Sequence, residues 1–145
     1  MLSFRNQFHQ NKPLYIMKTK TSALIFGSLF LLIGILGFIP NPIVGVTGDY
    51  IFHADTLHSI IHIVSGLLFF FFALAMPDNA PAFMKVFGGF YFLLGVIGLL
   101  MVGASGEGMV LGFLHVNGAD NFLHIVLGAL IFLAGLAKTQ PTIIA

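Results

Sequence analysis

The chain has 145 residues, of which 58% are hydrophobic and only 8% are charged. A soluble domain carries about 25% charged residues, so this sequence lacks the polar surface needed to coat a water-soluble globule. It has no cysteine, which excludes a disulfide, a thiolate metal site and a thiol nucleophile. The formal net charge of +1 says little as a total, and no basic patch points to nucleic acid.

Residues 1–20 read as a cytoplasmic N-terminal extension, expected to be disordered, carrying Arg5, Lys12, Lys18 and Lys20. Met17-Lys18-Thr19-Lys20 resembles a natural start, so residues 1–16 are either an extension or the product of a misplaced start codon. The first apolar run covers 22–39. Basic residues before such a run fit a signal peptide, but no small-x-small cleavage site follows, and it is expected to be kept as a span. A long loop, 40–55, leads to a second run over 56–76. There, Phe69 to Phe72 form a block that must point all round a helix, and it carries no role beyond bulk. The turn at 77–81 is too short for anything but antiparallel neighbours. A third run, 82–102, begins near Lys85. The second long loop, 103–119, opens with a glycine-rich stretch holding the only glutamate, Glu107, and is expected to be flexible. A fourth run, 120–137, is followed by Lys138 and a cytoplasmic tail, 139–145. Each run is near the ~20 residues needed to cross a bilayer. Helices are the only open-chain way to cross it with the backbone satisfied.

Neither long loop contains lysine or arginine. By the positive-inside rule both termini are cytoplasmic and both long loops lie outside. The expected address is a bacterial plasma membrane, crossed several times. The lipid bilayer is the expected partner, and a homo-oligomer or another membrane protein is a further candidate.

The last third of the chain repeats its middle. Gly27, Gly34 and Gly37 recur at one offset as Gly88, Gly95 and Gly98. His53, His62-Ile63-Val64, Gly66 and Leu74-Ala75 recur as His115, His124-Ile125-Val126, Gly128 and Leu136-Ala137, one residue having been gained in the second loop. Such self-similarity fixes architecture before any single motif does. The reading is an all-α, four-helix transmembrane up-down bundle over 21–138, built from two tandem helix-pair repeats, 21–76 and 82–138. The units should be related by a pseudo-two-fold axis along the membrane normal. Glycines seven apart give each helix a smooth stripe for close packing.

Five of the six histidines fall on the outer side. Asp55, His58 and His62 are spaced three and four apart, so they share a helix face, as do Asn117, Asp120 and His124. The repeat aligns His58 with Asp120 and Ser59 with Asn121. Asp55 and Asn117 are expected helix caps, with Asp120 placed to reach back to Asn117. His62 and His124 then lie about 10 Å further in, where ionisable groups are costly and usually face the bundle interior. His53, before the cap, is expected to be open to solvent. The first reading of the cluster of His58, His62, Asp120, Asn121 and His124 is structural: it ties helices 2 and 4 together, or binds a small ligand, and no cofactor is needed. The alternative is a haem- or divalent-metal-binding redox subunit, with His58, His62 and His124 as candidate ligands. No Ser–His–Asp order and no phosphate loop is present, so the reading leans away from an enzyme.

The run Asn117-Gly118-Ala119-Asp120-Asn121-Phe122-Leu123-His124-Ile125-Val126-Leu127-Gly128 resembles the signature of a bacterial membrane family, domain of unknown function 4383. Leu57-His58 through His62 to Gly66 resembles its first-half counterpart, with Ser59 where Asn is usual. The likeness runs over about Thr21 to Lys138. It implies four spans and a bacterial plasma membrane, and no activity. It points to His58, His62, Asp120, Asn121 and His124 as the positions to watch.

Overall fold

The computed structural model describes residues 14–47 and 49–137. Arg5, Lys12, Lys138 and the tail 139–145 lie outside the described residues. In chain order the elements are α1 (Leu14–Leu36), β1 (Val44–Gly45), β2 (Phe52–His53), α2 (Thr56–Leu74), α3 (Ala80–Val102), β3 (Glu107–Val110), β4 (Leu114–Asn117) and α4 (Gly118–Leu136). All four helices contain a stretch long and apolar enough to cross a membrane, of 19, 19, 23 and 19 residues. At 1.5 Å per residue these measure about 28–35 Å, against a hydrocarbon core of about 30 Å. Large apolar side chains cover the outside, Leu100 being 82% and Val86 74% exposed, as lipid permits and water does not.

The helices pack as two hairpins, α1 along α2 and α3 along α4, with sparser contact between them. Glycine sets this pairing. The backbone at Gly34 lies against Ser59 and Ile63, and that at Gly27 against Gly66 and Phe69, so α1 and α2 run antiparallel. In the second hairpin Gly95 lies against Asn121 and Ile125, and Gly88 against Gly128 and Phe132. The contacts of Gly27 and Gly34 thus reappear at Gly88 and Gly95. The short turn between α2 and α3 makes them chain neighbours, but the extensive interfaces lie between helices joined by the long loops.

Aromatic rings fill the space between hairpins. Phe69 and Phe30 are fully buried. Phe69 meets Phe83 and Phe87 of α3 at 4.9 Å between ring centroids, and Phe30 meets Phe87 at 5.5 Å and Tyr91 at 5.3 Å. Of the block expected only to add bulk, Phe69 is therefore a central core residue, while Phe71 is half exposed.

The long loops are ordered caps on the bundle. The Asn41 carboxamide accepts from the Ile43 and Val44 N–H groups and donates to the Leu36 carbonyl, folding the first loop back on the end of α1. β1 and β2 pair in parallel. The stretch around Glu107, expected to be flexible, is instead β3 of an antiparallel β3–β4 hairpin, with Glu107 opposite Asn117 and Val110 opposite Leu114. Val110, Leu114 and Val116 form a small core of their own, with Ile61, Leu94 and Val102 packed against it. That satellite core gives the segment the apolar burial that a solvated loop lacks.

Candidate functional site

Caps position the site. The Asp55 carboxylate accepts the His58 N–H at 2.8 Å and starts α2. Asn117 and Asp120 form a reciprocal capping box at the start of α4, Asn117 Oδ1 accepting the Asp120 N–H at 2.9 Å and Asp120 Oδ2 accepting the Asn117 N–H at 2.8 Å. From these fixed starts, His58 and His62 face inward one turn apart, and His124 faces them from α4.

The three imidazoles converge. His58, His62 and His124 are 1%, 5% and 2% exposed. Each offers one ring nitrogen, and those nitrogens lie within 4.8 Å of one another. Ring centroids are separated by 4.5 Å for His58–His62, 5.8 Å for His58–His124 and 6.5 Å for His62–His124. The Tyr91 hydroxyl, on α3, lies 3.3 Å from His62 Nε2, and its ring packs 4.5 Å from that of His124. Phe30 closes the other side, edge-on to His62 at 5.7 Å. Both nitrogens of His58, with Nδ1 of His62 and of His124, are buried without a hydrogen-bond partner among the described residues. The backbone at His53 and His115 approaches the His58 ring but does not meet hydrogen-bond geometry. A buried unpaired donor or acceptor costs about 1–3 kcal/mol, so four of them in one place form a preassembled polar site.

Asp120 and Asn121 do different work from the histidines. Asp120 Oδ2 also accepts the His53 N–H at 3.0 Å, joining the first loop to α4 across the two hairpins. Asn117 Nδ2 adds a bond to the Ile51 carbonyl at 3.0 Å. Asn121 is buried against Gly98 of α3, as Ser59 is against Gly37 in the turn that follows α1. Glycine at those two positions leaves room for the polar side chains.

A second cluster sits at the loop end. His53 was expected in solvent but is only 4% exposed. It is held by β2 and by the Asp120 carboxylate, and its ring lies against that of His115 of β4, tilted by 30° with centroids 4.1 Å apart. Glu107 Oε1 lies 3.4 Å from His53 Nδ1 and 3.4 Å from His115 Nε2. The Tyr50 hydroxyl donates to Glu107 Oε2 at 3.0 Å. Burial, and then the neighbouring His115, hold the His53 imidazole below its ordinary pKa, against the opposing pull of Glu107 and Asp55. Because the folded value lies below the unfolded one, the contribution of His53 to stability is present above about pH 6.5 and is lost as pH falls toward the folded value. Thermal unfolding in one detergent should therefore weaken more between pH 7 and pH 5 in wild type than in His53→Gln; equal slopes would remove His53 from the titration.

Tyr91, Tyr50 and Glu107 were not singled out as site residues by sequence. The usable signal for Tyr91 is the recurring glycine spacing, which aligns it with Phe30 and so sets a hydroxyl against a plain phenyl ring.

The family described as Domain of unknown function (DUF4383) matches residues 20–137, and the chain belongs to it. No curated protein and no solved structure matches.

Proposed function

We propose that this DUF4383 member is a non-enzymatic, multi-pass protein of a bacterial plasma membrane whose buried His58, His62 and His124 hold one divalent transition-metal ion. The observation that carries the reading is the convergence of three imidazole nitrogens within 4.8 Å at a buried junction of α2 and α4. Imidazole suits zinc, copper and nickel, and three histidines leave a fourth position for a further ligand. The Tyr91 hydroxyl, 3.3 Å from His62 Nε2, is the nearest candidate partner on α3. A porphyrin is disfavoured, because Phe30, Tyr91 and His58 pack directly on the His62 and His124 rings. Haem would have to drive these groups apart.

The basic residues support cytoplasmic termini: Lys18 and Lys20 stand in the first turn of the first span, Lys85 follows the short turn, and neither long loop has any. Reporter fusions after Asn79 and Gly106 should signal inside and outside respectively. The equivalent glycine contacts of the two hairpins support descent from a duplicated helix pair.

Zinc titration of the purified protein in detergent tests the metal reading. Wild type should bind a zinc ion that His62→Ala and His124→Ala each abolish. Zinc number and affinity both unchanged by these substitutions would leave the second reading, a structural tie between helices, which the Tyr91–His62 contact favours. A Soret band lost with the same residues would restore haem.

A further inference from the structure

We propose that His53, Glu107 and His115 form a second, solvent-facing site for a divalent transition-metal ion, assembled across the two halves of the chain. It does not rest on the buried cluster. His53 comes from the first loop, and Glu107 and His115 come from the β3–β4 hairpin of the second. Two imidazoles and one carboxylate are a donor set that zinc and its neighbours accept.

The spacing fits an ion. Two donors held about 2.0–2.2 Å from one tetrahedral metal stand about 3.4 Å apart. Glu107 Oε1 lies 3.4 Å from His53 Nδ1 and 3.4 Å from His115 Nε2. One donor atom from each residue falls within 4.8 Å of the other two. The carboxylate is already oriented: Tyr50 donates to Oε2, leaving Oε1 turned to the histidines. A partner of this kind on a ligating group is what tunes and fixes metal sites.

Burial is graded in the way a loading site requires. The His53 side chain is 5% exposed, His115 34% and Glu107 42%. The inner wall is buried, and the outer face is open to water ligands and to an arriving ion. A cavity of about 370 Å³ lined by Tyr50, Glu107 and Asn117 opens beside the carboxylate.

The test is zinc stoichiometry and affinity by chelator competition on the detergent-purified full chain. Glu107→Gln and His115→Ala alter partly exposed side chains, and thermal unfolding checks that both variants fold. Each should weaken one zinc site by at least the ~10–100-fold that losing an outer-shell partner costs. In a His62→Ala/His124→Ala background, the Glu107 and His115 substitutions should remove the zinc that remains. If wild type binds a single zinc, lost with Glu107→Gln and kept with His62→Ala, the surface site stands and the buried-site reading falls. Zinc number and affinity unchanged by both Glu107→Gln and His115→Ala would overturn the proposal, whatever the buried cluster does.

Discussion

Asp120→Ala should lower stability by about 2–6 kcal/mol, the sum for two stranded N–H groups at about 1–3 kcal/mol each. Asp120→Asn should cost about 1 kcal/mol, the difference between a charge-assisted and a neutral bond. One carboxylate oxygen, Oδ2, accepts both the Asn117 N–H at 2.8 Å and the His53 N–H at 3.0 Å. Asp120 is 3% exposed and His53 4%, so little water can replace the lost acceptor. Asparagine can present its single carbonyl oxygen at the same place and keep both bonds. Alanine keeps neither, frays the first turn of α4 and removes one of the ties between the first loop and the second hairpin. Equilibrium unfolding of the three proteins in one detergent gives the order wild type, Asn, Ala. An asparagine variant as unstable as the alanine one would mean that the negative charge itself is required, and the clamp would be an insufficient account of Asp120.

Much of this geometry was legible in the sequence, for local reasons. Hydropathy located the four helices because each must span the bilayer alone. Asp55 and Asn117 were legible as caps because a cap depends on residues three positions apart. The shared face of His58 and His62 follows from one turn of helix. What the sequence did not disclose depends on contacts between distant segments. His53 lies outside any helix, so no periodicity reports its burial; β2 pairing and a carboxylate 67 positions away produce it. Glu107 sits among glycines, a local signal for mobility, yet the strand it begins is held by Val110, Leu114 and Val116 packing on α2 and α3 residues. Tyr91 reads as one aromatic among many, and its meaning comes from the hydroxyl reaching His62 on another hairpin. The helix pairing is intermediate: the glycine stripes announce close packing but not which helix each stripe meets.

Gly88→Ala should cost about 1–3 kcal/mol, the usual penalty of overpacking, while its neighbour Gly89→Ala is neutral or stabilising by up to about 1 kcal/mol through helix propensity. A Cβ on Gly88 would stand 2.5 Å from the Phe132 nitrogen and 2.7 Å from the Gly128 carbonyl oxygen, both α4 backbone atoms. Backbone inside a spanning helix cannot turn aside as a side chain can, so α3 and α4 must separate. A Cβ on Gly89 meets only Phe132 Cδ2, at 3.8 Å, an ordinary contact. Gly27, whose contacts with α2 resemble those of Gly88 with α4, supplies an internal control. At Gly27 the added carbon would meet Phe69 Cβ and Phe70 Cδ2 at 3.0 Å and the Gly66 oxygen at 3.1 Å, a milder clash. Gly27→Ala should therefore fall between the other two. The consequence reaches the site, because α3 carries Tyr91 and α4 carries His124. Separating them should weaken any zinc held by the buried histidines in Gly88→Ala and leave it intact in Gly89→Ala. Unfolding midpoints and zinc affinity measured on the same three variants decide the matter; equal midpoints for Gly88→Ala and Gly89→Ala would mean that close backbone contact does not hold the second hairpin together.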